Sequence, residues 1–208
     1  MSLVADPRHG LGAHVLRAFD ALDLAGGYRF TPTARDPSDP TNPRDPHYDG
    51  VRETIDVGGV PVARGSTDGA SYCCGITFAC WWEALALASC PRPTDADDLV
   101  DLVATWFCPT MGHSGVVEAL VSRGWGEAIG TDEARPGDLV QYWRRTDLAR
   151  PSGHSAIWLG LDDGVLRYAS SQPATRGVGC HQEEVGPGWQ IHVVRPWFLR
   201  EDGGSTGS

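Results

Sequence analysis

The chain has 208 residues, 41% of them hydrophobic and 21% charged, and reads as one ordinary globular domain that buries its own core without a staple. Its 27 acids outweigh 17 bases, every base is Arg, and the formal net charge is −10. That balance excludes a dedicated nucleic-acid binder and an anionic membrane surface as partners, and the lack of Lys excludes Schiff-base and phosphate-loop lysine chemistry.

The N-terminus, MSLVADPRHGLG, has neither a basic segment nor an apolar core of useful length. The longest apolar run, around Phe78–Ala88, is broken by Glu83. The sequence therefore predicts no export leader and no membrane span, and a soluble chain that is cytoplasmic by default. Residues 7–25 carry Val15, Leu16, Phe19, Leu22 and Leu24 near helical spacing, and Gly26-Gly27 stops them; this predicts an amphipathic helix. Residues 31–50 are Pro-rich loop, and 51–66 fit a hairpin around Gly58-Gly59. Residues 73–89 (CCGITFACWWEALALAS) read as a mostly buried helix ended by Cys90-Pro91 and Pro93. Thr94 is the expected cap of the next helix, whose apolar face is Leu99, Leu102, Val103 and Trp106. Ser114 is the expected cap of a short helix through Arg123.

Beyond it the pattern becomes β-like. Asp138–Trp143, Ser155–Leu161, Val165–Ser171 and Trp189–Val194 are short runs separated by Gly, Pro and Asp. Helices first and antiparallel strands second predict an α+β fold: one domain over residues 1–202, with a helical and loop extension over 1–66 and a flexible tail over 203–208.

Six cysteines are present, at 73, 74, 80, 90, 108 and 180. Neighbouring Cys73 and Cys74 are poor disulfide partners because adjacent side chains diverge. Cys80 and Cys90 read as small core residues, and free thiols are expected. Cys108, His113, Cys180 and His181 offer a Cys2His2 zinc alternative with unusual spacing, and no metal or cofactor is expected. The eight Trp are expected in the core and the cleft wall.

Two stretches carry chemistry. Ser71-Tyr72-Cys73-Cys74-Gly75-Ile76 leads a loop into a helix whose first residues are thiols, and the positive end of a helix dipole favours thiolate. Arg135-Pro136-Gly137-Asp138-Leu139-Val140 and Gly153-His154-Ser155-Ala156-Ile157-Trp158-Leu159-Gly160 then place a His at a strand start. An imidazole beside a thiol is the pairing that activates a cysteine nucleophile.

These motifs resemble those of the NlpC-like cysteine peptidases and amidases: Cys-Ser-Gly-Leu, Pro-Gly-Asp-Leu and Gly-His-Val-Gly-Ile-Tyr-Leu-Gly. The resemblance covers about residues 70–172 and implies a papain-like fold. It implies Cys73 as nucleophile, with Cys74 the weaker candidate, and His154 as general base. The implied partner is a peptide or amide substrate, including peptidoglycan stem peptides. The chain departs from the pattern with Tyr72 where the family has Asp, Cys74 where it has Ser, and a long insertion around residues 90–130. The His-orienting third residue is expected on Val165–Ser171 or just past it, where Tyr168, Ser170 and Gln172 share a face by strand alternation. Asn42, the single Asn, precedes the motifs. A non-catalytic binding module on the same fold is the competing reading.

Overall fold

The computed structural model describes residues 8–29, 49–107, 113–144 and 152–199. Its elements run β1 (Arg8–Gly10), α1 (Gly12–Asp20), β2 (Ala25–Gly26), β3 (Ile55–Val57), β4 (Val60–Ala63), α2 (Cys73–Leu87), α3 (Ala96–Trp106), α4 (Val116–Val121), β5 (Gly126–Ile129), β6 (Leu139–Arg144), β7 (Ser152–Asp162), β8 (Val165–Gln172), β9 (Gly177–Glu184) and β10 (Gln190–Leu199). The fold is α+β. One sheet has the order β1-β10-β6-β7-β8-β9-β2, with β5 also paired to β10, and β3-β4 form a separate hairpin. Every named strand pair is antiparallel.

The sheet is buried on both faces. Leu139, Ile157, Ala169, Val178 and Val194 join the helices in the main core, whereas Val140, Tyr142, Ala156, Trp158, Leu166, Tyr168 and Val193 form a second one. This is why β6 reads as an almost unbroken apolar run rather than a clean alternation. Around α2, Phe78, Trp81, Trp106 and Trp125 pack with ring centroids 5.5–5.8 Å apart, so these tryptophans are core.

Several expected boundaries move. The helix expected over 7–25 is α1 alone, because Arg8–Gly10 pairs with β10 and Ala25–Gly26 with β9. The N-terminal extension is thus stitched into both ends of the sheet, and the order is not helices first and strands second. Asp95, not Thr94, caps α3, its carboxylate accepting from the Asp97 and Asp98 amides at 3.0 and 3.1 Å. Gly115 precedes α4 and no side chain caps it, so Ser114 does not fill that role. Strand β9 was not expected, its Gly and charged residues hiding the pattern. Residues 31–48 of the expected loop, Asn42, Cys108 and the 203–208 tail lie outside the described residues.

The approach to α2 is fastened on three sides. Tyr72 N–H donates to the Gly50 carbonyl and Ser71 N–H to the Gly27 carbonyl, each at 3.1 Å. Ser71 Oγ donates to Ser171 Oγ at 2.9 Å, and Ser171 Oγ returns a bond to the Ser71 carbonyl at 3.1 Å. Gly75 lets residues 49–51 lie against the first turn of α2, since a Cβ there would sit 2.0 Å from the Gly50 carbonyl carbon. Gly137, at φ +94°, makes the turn into β6 and leaves no room for a Cβ beside the Gly12 carbonyl. Asp138 closes that turn by accepting from the Arg135 amide at 2.8 Å and from Arg195 at 3.1 Å.

Candidate active site

Cys73 is the first residue of α2, and Tyr72 before it offers no side-chain cap. The first-turn amides of a helix have no intrahelical acceptor, so this end carries a partial positive charge. β7 runs past it. The His154 ring and the Ser155 backbone amide both lie near enough to the Cys73 thiol to lower its proton affinity. Both site residues are recessed, Cys73 at 7% and His154 at 8% exposure. A hydrogen bond from Cys74, the nearby charge of His154 and the Ser155 amide together hold the Cys73 thiol well below the ordinary thiol range, against the opposing effect of burial.

His154 Nε2 lies 3.1 Å from Gln172 Oε1. An amide oxygen only accepts, so Nε2 carries the proton, leaving Nδ1 as the basic nitrogen. Gln172 is 4% exposed, and its Nε2 has no hydrogen-bond partner among the described residues. Of the three residues expected to compete for this role, Gln172 is the one that hydrogen-bonds an imidazole nitrogen. Ser170 donates to the Ser155 carbonyl at 2.8 Å and so ties β8 to β7; it does not orient His154. Tyr168 presents its ring edge-on to His154, centroids 5.5 Å apart, and gives its hydroxyl proton to Glu183. Tyr142, opposite His154 across the strand pair, makes a second edge-on contact at 5.5 Å. Glu183 is held by Arg144 at 2.5 and 2.8 Å, so an ion pair stands behind the aromatic wall of the imidazole.

Sequence reasoning missed the polar pair beneath the thiols. Ser155 Oγ donates to Gln141 Oε1 at 2.5 Å and lies 3.4 Å from Cys74 Sγ, which is itself 3.8 Å from Cys73 Sγ. Gln141 and Ser155 are cross-strand partners and both are buried. The available signal was a Gln inside the apolar run of β6, since a buried amide demands a partner.

Cys73, Cys74, Cys80, Cys90 and Cys180 are all reduced. Burial pushes the Cys80 thiol up to about 12, as expected of a core residue. The zinc alternative gains no geometry: no group of three or more His, Cys, Asp or Glu converges among the described residues, and Cys108 lies outside them. His113 lies 3.6 Å from Glu118, and His181 packs edge-on against Tyr168. A cavity of about 500 Å³, lined by Ala18, Leu22, Arg52, Ile76, Cys80 and Trp82 among others, lies apart from Cys73 and His154. No helix among the described residues is long and apolar enough to cross a membrane.

Comparison of the chain with models of protein families, with curated proteins and with solved structures gives no match.

Proposed function

We propose that the chain is a thiol hydrolase with a papain-like arrangement, resembling the NlpC-like peptidases and amidases and cleaving peptide or amide bonds. The observation that carries this reading is the placing of His154, its Nε2 held by Gln172, near a helix-start Cys73 thiol whose proton affinity it lowers. A structural cysteine would resemble Cys80, whose burial raises its proton affinity instead.

In this reading the Cys73 thiolate attacks the carbonyl carbon and a C–S bond forms while the carbonyl oxygen gains charge. The first-turn amides of α2, at its positive end, are the donors available to that charge. The intermediate collapses, the C–N bond breaks, and His154 passes the former thiol proton to the departing amine. His154 then takes a proton from water, whose oxygen attacks the thioester, and the acid leaves as the proton returns to sulfur. Gln172 keeps the imidazole in one tautomer and one plane throughout. An acidic chain suits a neutral or cationic stretch of substrate better than a polyanion, and peptide stem bonds remain the substrate class that the motif resemblance points to.

Alkylation by iodoacetamide, with the modified residue located by mass spectrometry, tests the reading. Cys73 is expected to react at pH 6–7 at least about tenfold faster than free cysteine. His154→Ala is expected to remove most of that advantage. A Cys73 rate equal to that of free cysteine would sink the hydrolase reading and leave a binding module.

A further inference from the structure

The second thiol of the vicinal pair is absorbed by no step above, yet it has three polar neighbours. Cys74 Sγ lies 3.8 Å from Cys73 Sγ, 3.4 Å from Ser155 Oγ and 4.0 Å from the Phe107 carbonyl. Cys80, by contrast, sits in the core with burial and the distant charge of Arg52 as its whole electrostatic setting.

Proton accounting fixes the roles. The Ser155 hydroxyl proton is committed to Gln141 Oε1 at 2.5 Å, so Ser155 Oγ meets Cys74 as an acceptor. A thiolate at Cys73 has no proton, so any hydrogen bond between the two sulfurs is then donated by Cys74. Besides the more distant Phe107 carbonyl at 4.0 Å, Cys74 thus has one proton and two side-chain acceptors on either side of it. While Cys73 is a neutral thiol or a thioester, the better acceptor is the Ser155 oxygen. Once Cys73 is ionised, the charged sulfur is the better acceptor, because hydrogen bonds to ionised partners are about twice as strong as neutral ones.

We infer that Cys74 is a positioning residue for the nucleophile: its S–H turns from Ser155 Oγ to the Cys73 sulfur when the thiolate forms, and turns back when that sulfur is acylated. This rests on the hydrolase reading and deepens it. No proton is transferred and no oxidant is needed; a rotation about the Cβ–Sγ bond is the whole event. Ser155 and Gln141 form the resting place, and their burial keeps water from competing for the same proton. The proposal matches the hydrogen bond from Cys74 being the foremost influence lowering the Cys73 proton affinity.

The other ionisable groups facing the pair are His154 on β7 and, behind it, Tyr142 and Arg144 on β6, Tyr168 on β8 and Glu183 on β9. Substitution at Cys74 leaves all of them in place, so the pH dependence of Cys73 reactivity isolates the contribution of Cys74. The experiment is the rate of Cys73 alkylation by iodoacetamide from about pH 5 to 10 in the full chain, for the parent and for Cys74→Ala, Cys74→Val and Cys74→Ser. Val fills the space without a donor and serves if Ala collapses the site; Ser restores a donor. Ala and Val are expected to slow the reaction at least about fivefold near pH 6 while leaving the plateau near pH 10 within about twofold, and Ser is expected to track the parent within about twofold.

Ala and Val profiles superimposed on a parent profile of low midpoint would overturn the role of Cys74 and leave the hydrolase reading standing. So would an equal loss at every pH in all three variants, which is what a purely structural role produces. A parent midpoint at the ordinary thiol value would overturn the hydrolase reading, and this inference with it.

Discussion

At Gln172 a single side-chain oxygen decides which imidazole nitrogen is basic. The Oε1 contact at 3.1 Å holds the proton on His154 Nε2, and the recessed position of both groups shields the bond from water. Gln172→Ala removes the acceptor and frees the ring to rotate and change tautomer. Cys73 alkylation near neutral pH, and turnover once a substrate is in hand, are expected to fall about 10- to 100-fold. That is less than the loss of about 10⁴ seen when a charged orienting carboxylate is removed, because a neutral amide orients the ring without stabilising its charge. An unchanged alkylation rate in Gln172→Ala would show that the Tyr142 and Tyr168 rings suffice to hold His154. Cys73 and His154 were legible in the sequence because a helix start and a strand start each expose one local motif. The choice among Tyr168, Ser170 and Gln172 was not, since strand alternation puts all three on one face. Which of them reaches the ring depends on the register of β7 against β8, and that register shifts at an irregularity between Trp158 and Gly160.

The elements that position the site depend on close backbone approaches, and these make sharp predictions. An Ala at Gly75 would put its Cβ 2.0 Å from the Gly50 carbonyl carbon and 2.1 Å from its oxygen. Both are backbone atoms that cannot turn aside, and the same carbonyl receives the Tyr72 amide. Gly75→Ala is therefore expected to cost about 3 kcal/mol or more in urea unfolding, with Cys73 reactivity altered in whatever protein remains folded. A loss below about 1 kcal/mol would mean that residues 49–51 shift freely and do not brace α2. Asp138 makes the second test. Its carboxylate is buried and accepts from the Arg135 amide and the Arg195 guanidinium, so Asp138→Ala strands the Arg135 amide and leaves Arg195 only the Glu133 carbonyl. About 2–4 kcal/mol of stability is the expected loss, with Cys73 alkylation kept in the folded fraction, because the Pro136-Gly137-Asp138 turn builds the sheet and not the chemistry. Helix α2 was readable within two residues of its ends from its Ala- and aromatic-rich run and the prolines after it, and α3 from its apolar face. β1 and β2 were not, because two or three residues paired to a distant strand leave no periodic trace. Their pairing is decided by partners about 150 or more positions away along the chain. β9 was hidden by its Gly and charged residues.

At the scale of the whole molecule, the two cores on either face of the sheet set the response to alkali. Burial in the main core pushes the Cys80 thiol up to about 12 from an ordinary value of 9.0, and burial in the second core raises the Tyr142 and Tyr168 phenols as well. Between the unfolded and folded values, the folded chain keeps a proton that the unfolded chain has released. The stabilising effect of these neutral groups is complete below about pH 8–9 and is lost as pH rises. Cys80 alone removes about 1.4 kcal/mol per pH unit, or about 4 kcal/mol between pH 9 and 12. That is a large share of the 5–15 kcal/mol by which a domain is ordinarily stable. The tyrosines add to the slope from about pH 10, where an unfolded phenol begins to ionise. Urea midpoints measured from pH 7 to 11 are therefore expected to rise towards pH 9, because the lowered proton affinity of Cys73 adds stability until the unfolded thiol ionises, and to fall steeply above pH 9. In Cys80→Ala the starting stability is lower, from the lost sulfur, and the decline above pH 9 is shallower by about 1.4 kcal/mol per unit. Parallel curves for parent and variant would show that Cys80 ionises as readily folded as unfolded, and that the main core admits water at the centre of α2.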